Sequence, residues 1–382
     1  MRIKNRGFSL YIHIPFCLKK CNYCDFVSFP LNKREIGGYV QYLKKEIKIF
    51  VEKKNIKNIS LSTVYLGGGT PSLLTVDEME NIFSSIRENF NLLKDAEITV
   101  EANPETVELN KFKAFKDLGV NRISIGAQSF NDNTLKILGR VHNAERIYKS
   151  FNYARKAGFE NINIDLMFAL PDESIKDLSH SLKEAISLNP EHISFYSLMI
   201  ERGTAFYRER KYLNLPNNDE EAYQYQFGID FLEKNGYKQY EISNFAKPGF
   251  ECRHNITYWE NLPYIGFGVA AGSYFERKRT RNVLKLYNYY KKIDRDILPV
   301  GLYEHLKGKK AKGEHIIMNL RTLKGCDKHL YYVRFGSFPE TDFGKEIKFL
   351  KENKLIREDK QFIQLTQKGL FLANVVFEQF IS

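Results

Sequence analysis

The sequence predicts an α/β protein: a partial, three-quarter (β/α)6 TIM-like barrel, followed by a C-terminal α/β module of winged-helix-like order. Two observations predict the barrel. From residue 9 to about 200, short β-branched runs alternate with longer amphipathic stretches, as βα units feeding a parallel sheet do. Unusual polar and glycine residues also recur where those strands would end, the place where a barrel gathers its functional loops. A third observation predicts the module. Residues 308–382 read as helix, helix, a short strand pair around 355–365, and a final helix over 367–380.

Taken in order, strands are expected at 9–14, 63–66, 97–101, 122–125, 161–168 and 192–197. Between them lie helix patterns such as 104–118, where Val107, Phe112, Phe115 and Leu118 recur at near-helical spacing and Gly119 supplies the stop. The middle of the chain is less regular, with a helix over 219–235 and an aromatic-rich stretch from 237 to 274. The expected organisation is therefore a barrel over 1–205, a middle segment over 206–305 and the module over 306–382. No long internal repeat or low-complexity segment interrupts it.

Composition narrows the class. The chain has 382 residues, 43% of them hydrophobic, enough for two or three domains. No apolar run reaches the roughly 18 residues of a membrane helix, and the first residues lack the apolar stretch of a signal peptide. These features place the chain in the cytoplasm. The net charge of +12 suits nucleic acid, anionic lipid or an anionic small molecule, but lysines at helical spacing mostly solvate helix faces. The module lacks an Arg-rich recognition helix, so no nucleic-acid partner is expected.

Five cysteines occur, and three of them, Cys17, Cys21 and Cys24, fall within eight residues. This is a poor disulfide framework and a good metal loop. Three thiolates from one loop can hold three irons of a [4Fe–4S] cubane and leave the fourth iron open. A structural zinc ion is the alternative, but zinc wants four ligands in paired knuckles and no second knuckle follows. At the strand ends stand Gly67 to Pro71, Glu101 and Gln128, with Asp165 inside the fifth strand. Any one of these has an ordinary turn or capping reading; together they mark a site.

The phrases Tyr11-Ile-His-Ile-Pro-Phe-Cys17, Gly67-Gly68-Gly69-Thr70-Pro71, Glu101-Ala-Asn-Pro104, Gly126-Ala-Gln128-Ser-Phe, Leu138-Gly-Arg140-Val-His142 and Ile164-Asp165-Leu-Met resemble the radical S-adenosylmethionine (SAM) superfamily. Within it they resemble the branch of the oxygen-independent coproporphyrinogen III oxidases, from about residue 8 to the C-terminus. The resemblance implies that the amino and carboxylate groups of SAM chelate the open iron. It implies SAM contacts at Tyr11, Tyr23, Gly68, Gly69, Thr70, Glu101, Gln128, Arg140, Asp165 and Met199. The residue chemistry suits that ligand: carboxylates and an amide for ribose hydroxyls, an arginine for a carboxylate, an aromatic beside adenine. Cleavage of the sulfonium by an electron from the cluster is the cofactor's own chemistry.

Two readings compete within that branch. An oxidase would convert two propionates of coproporphyrinogen III to vinyl groups; a heme chaperone of the HemW type would bind heme and pass it to an acceptor protein. The oxidases carry a further cysteine two residues after the third, where this chain has Asp25-Phe26, and a longer N-terminal extension. The phrase Cys252-Arg-His254-Asn255-Ile-Thr-Tyr258-Trp259 matches a His-Asn-x-x-Tyr-Trp motif associated by resemblance with heme, which makes His254 the candidate axial ligand. Without the family context a histidine beside aromatics is a structural hydrogen-bonding residue. Cys252 is a second candidate ligand but reads as a small buried side chain, and Cys326 reads as structural. One departure concerns Val269-Ala270-Ala271-Gly272-Ser273, where the family has a Gly-Ala-His-Ser phrase. The carrier is the favoured reading, with heme or porphyrin and an unidentified acceptor as partners; a homodimer and transient membrane contact remain open. No catalytic residue is assigned, and a methyltransferase or heme-modifying enzyme on the same scaffold is a third reading.

Overall fold

The computed structural model describes residues 7–30 and 32–381. Six parallel strands form the barrel: β1 (Phe8–Ile14), β2 (Ser60–Gly68), β3 (Asn91–Ala102), β4 (Arg122–Gln128), β5 (Ile162–Phe168) and β6 (His192–Ser197), each hydrogen-bonded to the next. The middle segment does not form a separate layer. Its strand β8 (Asn244–Ala246) adds antiparallel to β6, and β7 (Lys238–Glu241) pairs antiparallel with β8 at the edge. On the other flank β9 (Tyr264–Phe267) joins β1 in parallel, and β10 (Gly272–Phe275), β11 (Lys278–Asn282) and β12 (Val300–His305) continue antiparallel. The result is one open sheet of twelve strands, ordered β12-β11-β10-β9-β1-β2-β3-β4-β5-β6-β8-β7.

The barrel strands carry their apolar residues outward, under the helices. Leu10, Ile12 and Ile14 of β1, Val64 and Leu66 of β2, and Ile123 and Ile125 of β4 belong to the main hydrophobic core, together with Val40, Leu43 and Ile47 of the helix Lys33–Lys54. The alternate positions face the lumen and are mostly polar, because successive side chains of a strand point to opposite faces. Register aligns Tyr11 with Tyr65 and Tyr65 with Thr99, then Glu101 with Ser124, Ser124 with Asn163 and Asn163 with His192. Three helices start on reciprocal capping boxes, at Thr75/Glu78, Ser174/Asp177 and Asn217/Glu220.

The helix expected over 104–118 is shorter than its apolar spacing suggests. Pro104–Thr106 form a single 3-10 turn, Val107 is extended, and the α-helix proper is Leu109–Asp117. Asn103 closes that turn by accepting from the Glu105 amide at 3.1 Å, whereas the helix itself starts at Glu108 without a side-chain cap. The last helix is likewise two, Gln367–Phe371 and Ala373–Glu378, broken at Leu372.

The C-terminal module has its own core, including Ile316, Tyr331, Phe343 and Val376, around the sheet β13 (Cys326–Asp327), β14 (Ile356–Glu358) and β15 (Phe362–Leu365), ordered β13-β15-β14. It docks on the β7 edge. The Leu323 amide donates to the Tyr240 carbonyl at 3.1 Å, the Ile242 amide to the Arg321 carbonyl at 3.1 Å, and Glu241 and Thr322 form an antiparallel bridge. Arg321 also stacks over Trp259, 4.4 Å from the ring centre.

Candidate functional site

The cysteine loop is pinned at three places. Phe16–Cys17 pairs with Phe29–Pro30, which closes the loop at its base. The turn after β2 holds that base: the Gly69 amide donates to the Ile14 carbonyl and the Thr70 amide to the Phe16 carbonyl, both at 2.8 Å. A Cβ at Gly69 would stand 2.7 Å from both carbonyl oxygens, so glycine is required for this approach. At the far side the Asn22 amide donates to the Leu138 carbonyl at 3.0 Å and its side chain to the Ile137 carbonyl at 2.8 Å. The three thiols are free. The Thr70 hydroxyl donates to Cys17 Sγ at 3.5 Å and Arg140 Nη1 to Cys21 Sγ at 3.4 Å.

The thiols stand at one side of a cavity of about 530 Å³ at the C-terminal mouth of the barrel. Its wall includes Tyr23, Gly68, Gly69, Thr70, Glu101 and Gln128, and also Arg140, Asp165 and Met199. Glu101 accepts from the Tyr65 hydroxyl at 2.8 Å and from the Gly68 amide at 3.1 Å. Burial, reinforced by the nearby Asp165 carboxylate, pushes its pKa up to about 7. Asp165 is also raised by burial, although it accepts from Asn163 at 2.6 Å. Gln128 turns inward because the register shifts between Ile125 and Gln128 and its φ is 72°; its Oε1 accepts from the Tyr196 hydroxyl at 2.7 Å. Arg140 is fixed by a 2.6 Å bond to the Gly126 carbonyl. Met199 is exposed at the rim.

Two predicted positions lie elsewhere. Tyr11 is behind the wall, its ring beside Tyr65 and its hydroxyl 2.9 Å from His13 Nδ1. His254 is buried in the helix Arg253–Trp259, which lies inside the lumen below the cavity. Both of its ring nitrogens are engaged, Nδ1 with the Thr63 hydroxyl at 2.7 Å and Nε2 with the Tyr258 hydroxyl at 2.8 Å, and its ring stacks on Tyr65. Burial, with the Arg122 charge nearby, lowers its pKa to about 3 and keeps it neutral. Glu97 of β3 holds the start of this helix, accepting from the Arg253 and His254 amides at 3.0 Å each and from the Cys252 thiol at 3.6 Å. Of the motif, Asn255 reaches the cavity wall. The altered stretch 269–273 is not part of that wall.

Several wall residues escape a motif-based reading: Tyr65, Arg122, Ser124, Asn163 and Tyr196. The signal that finds them is an inverted period-two pattern. In Thr63-Val-Tyr65-Leu, Arg122-Ile-Ser124-Ile and Asn163-Ile-Asp165-Leu the polar residue of each pair faces the lumen.

Fold and site together are those of a radical SAM protein. The Radical SAM superfamily matches residues 11–185 and the HemN C-terminal domain matches residues 313–372. Among solved structures, coproporphyrinogen III oxidase (HemN) from Escherichia coli, described as a radical SAM enzyme, superposes with a TM-score of 0.87 at 26% identity, over 99% of this chain and 90% of that one. Curated relatives lie in a different subgroup. The chain is 37% identical to heme chaperone HemW of Bacillus subtilis (strain 168) over 98% of its length and 99% of that protein. It is 38% identical to heme chaperone HemW of Lactococcus lactis subsp. lactis (strain IL1403), with coverages of 98% and 97%. The chain belongs to the HemW family. Membership in the superfamily implies a [4Fe–4S] cluster and SAM.

Proposed function

We propose that this chain is a heme chaperone that binds heme and passes it to an acceptor protein. The observation that carries the reading is end-to-end identity with proteins named heme chaperone HemW. Asp25-Phe26 after the third cysteine supports it.

Cys17, Cys21 and Cys24 are the cluster ligands in this reading. The fit rests on three free thiols of one loop opening on one cavity. When bound, the cluster and SAM supply one-electron chemistry that no side chain here provides. Gly68, Gly69 and Thr70 would hold the methionine end beside the thiols, with Arg140 facing its carboxylate. Glu101, Gln128 and Asp165 would take the ribose hydroxyls, and Tyr23 and Met199 flank the adenosyl end. Tyr11 acts through His13 and Tyr65.

Heme ligation by His254 belongs to the proposal and has a stated structural cost. Ligation at Nδ1 would replace the Thr63 hydroxyl and ligation at Nε2 the Tyr258 hydroxyl, and His254, 1% exposed, would first have to be uncovered. Homodimerisation and membrane contact accompany a carrier that meets its acceptors.

The HemN likeness keeps one alternative, oxidative decarboxylation of coproporphyrinogen III. A single anaerobic experiment separates them: reconstituted protein with reductant, SAM and coproporphyrinogen III, alongside a heme titration of wild type and His254→Ala. The expected result is stoichiometric heme binding by the wild type without protoporphyrinogen IX. Vinyl product would overturn the carrier reading. Unchanged heme affinity in His254→Ala would remove that residue as ligand and leave the carrier standing.

A further inference from the structure

One charged side chain of the lumen has no bonded partner. Arg122, at the start of β4, is 2% exposed and stands in the cavity wall. Its Nε is buried without an acceptor, and no other N–H of the guanidinium meets one among the described residues. The carboxylates around it are taken by other donors. Glu97 holds the Arg253 and His254 amides, Glu101 the Tyr65 hydroxyl and the Gly68 amide, and Asp165 the Asn163 side chain. Glu97 acts on Arg122 through space and forms no ion pair with it. Arg140, by contrast, is bonded to the Gly126 carbonyl at 2.6 Å. An arginine cannot shed its proton to escape the cost of burial, so an unbonded guanidinium in this position calls for an acceptor.

Its place in the barrel separates it from the SAM contacts. Register sets Arg122 opposite Thr99, one layer below Glu101, Ser124 and Asn163. Gly126, whose carbonyl fixes Arg140, lies further along β4 toward the mouth, about 13 Å away at roughly 3.3 Å per residue. The carboxylate of SAM belongs beside the thiols and Arg140, and SAM carries no other anionic group. A second donor stands on the same wall. The side-chain amide of Asn255 has no hydrogen-bond partner among the described residues.

We infer that Arg122, assisted by Asn255, seats one carboxylate of a ligand other than SAM, a propionate side chain of a tetrapyrrole. The planar guanidinium matches a planar carboxylate through paired N–H bonds. Glu97, Glu101 and Asp165 surround the position, so it admits a single negative charge and opposes a phosphate dianion. Arg122 also stands beside the helix that carries the candidate heme ligand, where its charge acts on Cys252 and His254. A single tetrapyrrole thus serves both groups, its propionate at Arg122 and its iron at His254. The inference rests on the carrier reading for the source of the carboxylate, and not for the need of Arg122 to find one.

The test titrates three probes into the full-length, reconstituted protein and follows absorbance: heme, heme dimethyl ester, in which both propionates are blocked, and metal-free coproporphyrin III. Wild type should bind heme about tenfold or more tightly than the ester, the scale of a charge-assisted bond left unmade. Arg122→Gln should lose about tenfold for heme and leave the ester unchanged. Arg122→Lys, which keeps the charge without the fork, should fall between, and Asn255→Ala should lose about threefold. Cluster absorbance and unfolding temperature report whether each variant folds, and the comparison of heme with its ester on wild type needs no variant. An ester bound as tightly as heme by wild type overturns the seat. So does a heme preference that survives Arg122→Gln, or an equal loss for both probes, which would leave Arg122 as a charge balance for Glu97. Weaker SAM binding by Arg122→Gln in equilibrium dialysis would give the seat to the carboxylate of SAM and overturn the assignment. Coproporphyrin III bound through Arg122 without any heme binding fails the carrier and keeps the seat; binding of neither tetrapyrrole fails both.

Discussion

At the residue scale, Glu101 is the proposed ribose ligand whose charge the cavity itself perturbs. Burial pushes its pKa up to about 7, so the apo protein titrates there between neutral and ionised forms. Ribose hydroxyls donate best to the ionised form, and SAM is a sulfonium cation that the charge attracts. Affinity for SAM should therefore rise with pH through about 7 and level off above it. Glu101→Gln should lose about tenfold or more in affinity and flatten the profile, as measured by equilibrium dialysis from pH 6 to 8. A profile of wild-type steepness in the variant would assign the titration to another group. Glu101 was legible from the sequence because it ends a strand inside a recognisable phrase. Its hydroxyl donor Tyr65 was not, since a lone tyrosine in an apolar run reads as core. Arg122 is missed for the opposite reason, since a cation at the start of a strand reads as surface, although it is 2% exposed and sits in the cavity wall.

At the scale of elements, the barrel strands were legible and their extension was not. Parallel strands buried on one side by helices are β-branched and easily located; β9 to β12 are short, aromatic and basic, and their pairing depends on contacts far apart in sequence. The clasp that joins them to the barrel is Glu46 of the helix Lys33–Lys54. It accepts from the Gly268 amide at 2.8 Å, the Asn282 side chain at 2.7 Å and the Tyr289 hydroxyl at 2.6 Å. Burial outweighs these donors and raises its pKa to about 7. The folded state thus holds the proton more tightly than the unfolded chain, whose glutamates titrate near about 4.3. This contribution to stability is complete below that value and is lost as pH rises through about 7. It amounts to roughly 4 kcal/mol by linkage. Denaturant titrations of wild type and Glu46→Gln at pH 5 and pH 8 should show the variant losing less stability over that interval; parallel losses would show that Glu46 is not the group responsible.

The His254 helix illustrates how a motif specifies a local pattern and leaves its geometry open. Its spacing puts His254 and Tyr258 on one face, and the sequence offered no sign that Glu97, 157 residues earlier, would hold its amides. Two functions are packed into seven residues: filling the lumen and, through Trp259 and Arg321, meeting the module.

At the scale of the molecule, the two ends of the sheet are treated differently. The β7 end is covered by the C-terminal module, whose backbone bonds to Tyr240 and Ile242 occupy the edge; the β12 end is open and basic. Uncovered edges recruit other strands, and on β7 the one exposed charge is Lys238. The module is therefore also a safeguard against self-association, a role unrelated to any ligand. Ending the chain after Lys307 should yield soluble aggregates by light scattering at moderate temperature, while the full chain stays dispersed. A monodisperse truncation would show that the edge protects itself. If the safeguard holds, newly made barrel waits with a sticky edge until its last residues arrive, and the period between synthesis of β7 and completion of the module is when this chain most needs cellular help to fold.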